Sequence, residues 1–109
     1  MKKREIVWTH FAAKCLNEIH KYIFEETKSE AIANKYCVKL LNSVENISLQ
    51  ANAGNIEPLL KKLNQNSRFI MEGNYKIIYQ YDDETIFITD VFHTKQNPEK
   101  IITRNRKRD

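Results

Sequence analysis

Arg68-Phe69-Ile70-Met71-Glu72-Gly73-Asn74-Tyr75-Lys76-Ile77-Ile78-Tyr79-Gln80-Tyr81-Asp82-Asp83-Glu84-Thr85-Ile86-Phe87-Ile88-Thr89-Asp90-Val91-Phe92 is the stretch that decides the fold. It holds three runs rich in β-branched and aromatic residues, separated by Gly73-Asn74 and Asp82-Asp83. Such side chains fit a pleated, half-buried surface, and the separators are turn formers. The reading is three strands, 68–72, 75–81 and 85–92, joined by turns short enough for an antiparallel meander. Side chains alternate along a strand, so Tyr75, Tyr79 and Tyr81 fall on one face of the middle one. Aromatics so placed can stack RNA bases, but on a central strand they more often pack against helices. On the last strand Ile86, Ile88 and Asp90 should share one face, and Phe87, Thr89 and Val91 the other.

A sheet with an apolar face needs a cover, and the cover lies upstream. Ala12, Cys15, Leu16, Ile19 and Ile23 recur at helical spacing, with Lys14, Asn17, Glu18 and Lys21 on the polar side. That is an amphipathic helix capped by Thr9 and running to about Glu26. Thr27-Lys28-Ser29 breaks it. Ser29 caps a second helix, whose stripe is Ala33, Tyr36, Cys37, Leu40, Val44 and Ile47. Two such helices with a short polar link form an antiparallel hairpin. Lys3 to Trp8, with Ile6-Val7-Trp8, reads as a short first strand. Gln50 to Gln65 carries Asn52, Gly54, Asn55 and Pro58 and reads as irregular, with Pro58 to Leu63 either a turn of helix or a cover over the core. After Pro98 comes a basic tail, with Lys100, Arg104, Arg106, Lys107 and Arg108, that looks too polar to bury. The order β-α-α-β-β-β predicts one α+β domain, a helical hairpin packed on a small, mainly antiparallel sheet. Its core should span residues 4–103, with 104–109 as the tail.

Composition agrees with that size. A chain of 109 residues fits one domain, with room for one core and one surface site but not for a deep cofactor cleft. No cofactor or metal is expected. Eighteen Lys and Arg against 14 Asp and Glu give a net charge of +4, a modest bias towards an anionic or acidic partner. Cys15 and Cys37 have no Cys-x-x-Cys spacing and read as two small buried hydrophobes of a reduced protein, with a disulfide between the helices left open. No signal peptide is expected from the Met1–Arg4 start, and no run of about 18 apolar residues is present to span a membrane. A cytoplasmic location is expected.

Several motifs carry a resemblance. Ile6-Val7-Trp8-Thr9, the Ala12-x-x-x-Leu16-x-x-Ile19-x-x-Tyr22-Ile23 helix and Ala33-x-x-Tyr36 resemble the first strand and helical hairpin of the RelE/ParE toxin superfamily. Arg68-Phe69-Ile70, Asn74-Tyr75-Lys76-Ile77-Ile78-Tyr79 and Ile86-Phe87-Ile88 through Val91-Phe92-His93 to Pro98 resemble its central hairpin and final strand. The resemblance covers about residues 4 to 103. It implies the toxin of a bacterial type II toxin–antitoxin pair, a growth inhibitor of the plasmid-stabilisation kind, encoded beside a small antitoxin that wraps and neutralises it. The free toxin is expected to expose apolar surface, which a homodimer could cover. RelE-like members cut mRNA on the ribosome, and ParE-like members inhibit DNA gyrase by binding. The shared fold does not choose between them.

Metal-free RNA cleavage needs a base for the 2′-hydroxyl, an acid for the leaving oxygen and cations for the phosphorane. The candidates the resemblance marks for catalysis are Arg68 as a bidentate phosphate clamp, His93 as general acid or base, and Lys76 as a further cation. Lys61 and Lys62 are candidates for substrate binding. Each has a plainer reading. Arg68 can pair with Glu72 or Asp90, His93 can cap a strand end, and the lysines can be solvated surface. Glu72 is a general base or a turn carboxylate. The sequence departs from the ribonuclease pattern in two ways: Thr94, Lys95 and Gln96 follow His93 without a tyrosine, and the strand carries Lys76 where many members carry arginine. These departures, with the length and the Asn-Tyr-x-Ile-Ile-Tyr strand, lean towards ParE-like inhibition of gyrase or another target by binding. The alternatives are a ribosome-dependent endoribonuclease and a non-toxic relative that only binds its antitoxin.

Overall fold

The computed structural model describes residues 3–61, 66–97 and 99–106, without the side chains of 105 and 106. The chain runs β1 (Glu5–Trp8), α1 (His10–Thr27), α2 (Glu30–Asn46), a 3₁₀ turn (Ala51–Ala53), β2 (Asn55–Ile56), α3 (Pro58–Lys61), β3 (Arg68–Glu72), β4 (Tyr75–Tyr81), β5 (Thr85–His93) and α4 (Glu99–Arg106). The sheet order is β1-β5-β4-β3-β2. β1 runs parallel to β5, and the other neighbours are antiparallel. This is the α+β fold the sequence predicts, with the hairpin, the first strand and the meander in their expected places.

Local chemistry sets the element ends. The Thr9 hydroxyl accepts from the Ala12 N–H at 3.1 Å, and Ser29 accepts from Ile32 at 3.2 Å, so both caps are as expected. α1 stops where Lys28 turns left-handed (φ 57°) and its N–H returns to the Phe24 carbonyl. Gly73, at φ +59°, makes the β3–β4 turn that an L side chain resists. The Asp82 carboxylate closes the next turn by accepting from the Glu84 and Thr85 N–H groups at 2.9 and 2.8 Å, which holds its pKa below the ordinary value.

The sheet separates two cores. Under the hairpin lie Ala12, Cys15, Leu40, Val44 and Ile47 with Tyr75, Ile77, Tyr79, Ile86, Ile88 and Val91. On the other face Ile78 and Phe92 meet Leu60 of α3 and Ile101 of α4. Three expectations change here. β5 is bulged at Thr89: Asp90 lies opposite Ile78 but Ile88 lies opposite Tyr79. The extra residue reverses the alternation, so Val91 joins Ile86 and Ile88 instead of facing away from them. Helices cover both faces, because the segment after Pro98 is not a solvated tail. It forms α4, with Ile101 1% exposed and Arg104 bonded to buried Asp90; Lys107 and Arg108 lie outside the described residues. Tyr36, expected in the buried stripe, is instead 47% exposed. The cysteines are both free, Cys15 buried and Cys37 half-buried.

Residues 50–61 are more ordered than their breakers suggest. Tyr79 is fully buried, and its hydroxyl donates to the Ala51 carbonyl at 2.6 Å and accepts from the Gly54 N–H at 3.0 Å. A side chain at Gly54 would collide with that hydroxyl, and its Cβ would stand 2.9 Å from the Phe69 carbonyl. Pro58 starts α3 as a single turn, which buries Leu60. Leu63 lies outside the described residues.

Tyr79→Phe strands a buried carbonyl and a buried N–H, so it should cost about 1–3 kcal/mol, read as a lower midpoint in urea unfolding. A second expectation concerns alkali. Burial pushes the thiols of Cys15 and Cys37 and the hydroxyls of Tyr75 and Tyr79 above their ordinary values of 9.0 and 10.0, with the Asp90 charge adding to the effect at Cys15. The unfolded chain then loses these protons before the folded one does. Stability held below pH 9 should therefore decline as pH rises through 9 and 10; a flat midpoint from pH 8 to 11 would contradict it.

Candidate functional site

β3, β4 and β5 carry the three residues marked for catalysis, and register fixes where each one goes. Arg68 stands opposite Tyr79, and His93 opposite Tyr75. Both lie on the hairpin face, four residues apart along β4 and two strands apart, which separates their backbones by roughly 16 Å. Lys76 stands opposite Phe92 and Met71, on the other face. No single phosphate can touch all three.

Each also has an internal partner. Arg68 Nη1 donates to the Gly54 carbonyl at 2.8 Å, bracing the same segment that Tyr79 holds, and bonds neither Glu72 nor Asp90. Lys76 Nζ lies 2.8 Å from Glu57 Oε2 and 4.3 Å from the centre of the Phe69 ring. Glu57 is fully buried, and its other oxygen accepts from the Leu59 N–H at 3.2 Å. Lys61 is solvent-exposed on α3, and its backbone N–H donates to the Glu57 carbonyl at 3.3 Å. Lys62 lies outside the described residues. His93 Nδ1 accepts from the Lys95 N–H at 3.0 Å, and its ring meets Tyr75 edge-on at 4.9 Å. A ring nitrogen that accepts carries no proton, so Nε2 is the donor in this tautomer. Glu72 accepts from the Ser43 hydroxyl. Among the described residues no three His, Cys, Asp or Glu side chains converge as a metal site would need.

Of the three residues marked for catalysis, His93 alone borders the two grooves beside the hairpin. A groove of about 600 Å³ runs beside α1, lined by Phe11, Ile19, Tyr22, Tyr75, His93 and Lys95 among others. A second, of about 500 Å³, is lined by Tyr22, Tyr36, Lys39, Gly73, Tyr75 and His93 among others. They share Tyr22, Tyr75 and His93. At one end of the first groove Arg104 Nη2 lies 2.7 Å from Asp90 Oδ1 and 3.0 Å from Cys15 Sγ, with its guanidinium over the Phe11 and Phe92 rings.

The sequence matches a family described as the ParE toxin of the type II toxin–antitoxin system parDE, over residues 6–98. The chain belongs to the ParE toxin family. It is thus a toxin of a type II toxin–antitoxin system, as the resemblance implied. A solved structure described as the chromosomal ParDE TA system from P. aeruginosa is similar in fold, with a TM-score of 0.68 and 16% identity over 85% of this chain and 98% of that one. No curated protein matches. No helix among the described residues is long and apolar enough to cross a membrane.

For a ParE-family chain the residues that sequence reasoning missed are Glu57, the Asp90–Arg104 pair and the groove wall of α1. Asp90 did leave a signal, a lone carboxylate inside Thr85–Phe92 that a buried strand must neutralise. Glu57, next to Pro58 in a polar stretch, left none. Replacing Lys76 with alanine strands the Glu57 carboxylate and should cost about 3 kcal/mol or more, seen in chemical unfolding. Lys76→Met paired with Glu57→Gln should recover most of that loss; equal losses in the single and double variants would mean that the ion pair is not what Lys76 contributes.

Proposed function

We propose that this toxin acts in the cytoplasm by binding, with DNA gyrase as its target, and that a cognate antitoxin neutralises it. One observation carries the preference for binding over hydrolysis. Arg68, Lys76 and His93 are divided between two faces of the sheet, and the first two are engaged in holding the 51–57 segment. A ribonuclease site must deliver a base, an acid and a cation within about 3 Å of one phosphate, and these side chains do not converge on one. Family membership supports the antitoxin partner and is consistent with gyrase.

Two parallel assays test the reading: supercoiling by purified gyrase, and cell-free translation of a defined mRNA with transcript ends mapped. The expected result is stoichiometric inhibition of supercoiling with intact transcripts. His93→Ala should change that inhibition less than about threefold, since a binder loses one rim contact while a catalyst loses orders of magnitude. Transcript cleavage confined to translating ribosomes and abolished in His93→Ala would overturn the proposal.

A further inference from the structure

α2 buries one side and leaves its back bare. Ala33, Leu40 and Val44 enter the core, while Ala31, Lys35, Val38, Asn42 and Glu45 are exposed and recur every three to four residues. That spacing is one helix face, turned away from the core. Leu41 flanks it on the side of α1, two turns on from Asn34, which lies 2.7 Å from His20 of that helix. Phe24, one turn after His20, adjoins the same side. Val38 is 51% exposed, Phe24 43% and Leu41 40%. None of these residues borders either groove. From Ala31 to Glu45 is 14 residues, about 21 Å of helix at the usual rise.

A helix back with an apolar middle is an interaction surface, and its charges select the occupant. Lys35 and Glu45 lie equally far from the midpoint between Val38 and Asn42, one on each side. A stripe with a cation at one end and an anion at the other is complementary to its own reverse. A twofold axis at that midpoint lays α2 antiparallel on a second α2 and sets Lys35 opposite the partner's Glu45, twice. The existing contact of Glu45 does not compete strongly. It is an ion pair with Lys3 at 3.2 Å, with both side chains more than half exposed, and such surface pairs are worth little. The stripe is also neutral on a chain of net charge +4. Two copies meet there without the repulsion that their net charge produces elsewhere.

We propose that the chain self-associates through the back of α2. The dimer is a twofold, antiparallel pair of hairpins, held by Val38 and Leu41 and registered by two Lys35–Glu45 ion pairs. Few apolar side chains take part, so the interface belongs with the small ones, below about 1,200 Å² in total. The dimer therefore exchanges with monomer at micromolar concentrations. It leaves the grooves beside α1 uncovered on both protomers.

The test is sedimentation velocity of the full chain from low micromolar to submillimolar concentration, with circular dichroism as the folding control for each variant. Val38→Asp should weaken association at least about tenfold, because each dimer would then bury two unpaired carboxylates. Lys35→Glu and Glu45→Lys should each weaken it about threefold to tenfold, and the two together should restore it to within about threefold of the unaltered chain. Tyr22→Asp, 58% exposed and bordering both grooves, should leave association unchanged. A chain that stays monomeric throughout overturns the proposal, as does a dimer that survives Val38→Asp or is broken by Tyr22→Asp. A double charge variant as weak as the single ones overturns the antiparallel register. Variants that self-associate normally but lose antitoxin binding or gyrase inhibition would give the stripe to those partners and overturn it too.

Discussion

β5 is covered on both faces and still contains a carboxylate, and much of the remaining structure answers to that constraint. A strand between two cores must send apolar side chains both ways. Ile86, Ile88 and Val91 go beneath the hairpin, while Phe92 goes to the α3–α4 side. Strict alternation would put Val91 with Phe87. The bulge at Thr89, whose hydroxyl donates to the Ile78 carbonyl at 3.2 Å, supplies the one-residue offset that lets both cores fill.

Asp90 follows the bulge directly and is fully buried. An isolated carboxylate in that place would be strongly destabilising. Arg104 neutralises it, and to reach it the segment 99–106 must fold back as a helix, which also brings Ile101 into the second core. Glu57 and Lys76 repeat the arrangement at the other side of that core. Two cations that composition assigns to an anion-binding surface thereby become internal counter-ions. The net charge of +4 is unchanged, but fewer basic groups face a partner than the sequence suggests.

The fold was legible where periodicity was strong. The three strands, both caps and the hairpin follow from spacing alone, because a period of two or of 3.6 is visible in the order of residues. What stayed hidden depended on contacts between distant residues. Arg104 looks like a solvated tail residue until Asp90, 14 positions earlier, is known to be buried. The order of 51–57 depends on Tyr79, and a tyrosine hydroxyl announces no acceptor in sequence. The candidate site suffered most. Arg68, Lys76 and His93 are near one another along the chain, but strand parity sends Lys76 to the opposite face from the other two. Parity was available from the strand boundaries and argues against a single cluster as strongly as any distance does.

The grooves beside α1 have the same origin. A chain of 109 residues with two small cores has little apolar surface to spare for closing a second side of α1. α1 commits Ala12 and Cys15 to the core over β5 and packs against α2, leaving Tyr22 open to solvent beside Tyr75 and His93. Closing that face from within would require another helix. Leaving it open gives the toxin a ready-made surface whose shape is fixed by the same helix that organises the core. A ligand filling it would bury Tyr22 and Tyr36 and stabilise the folded chain in proportion to its affinity.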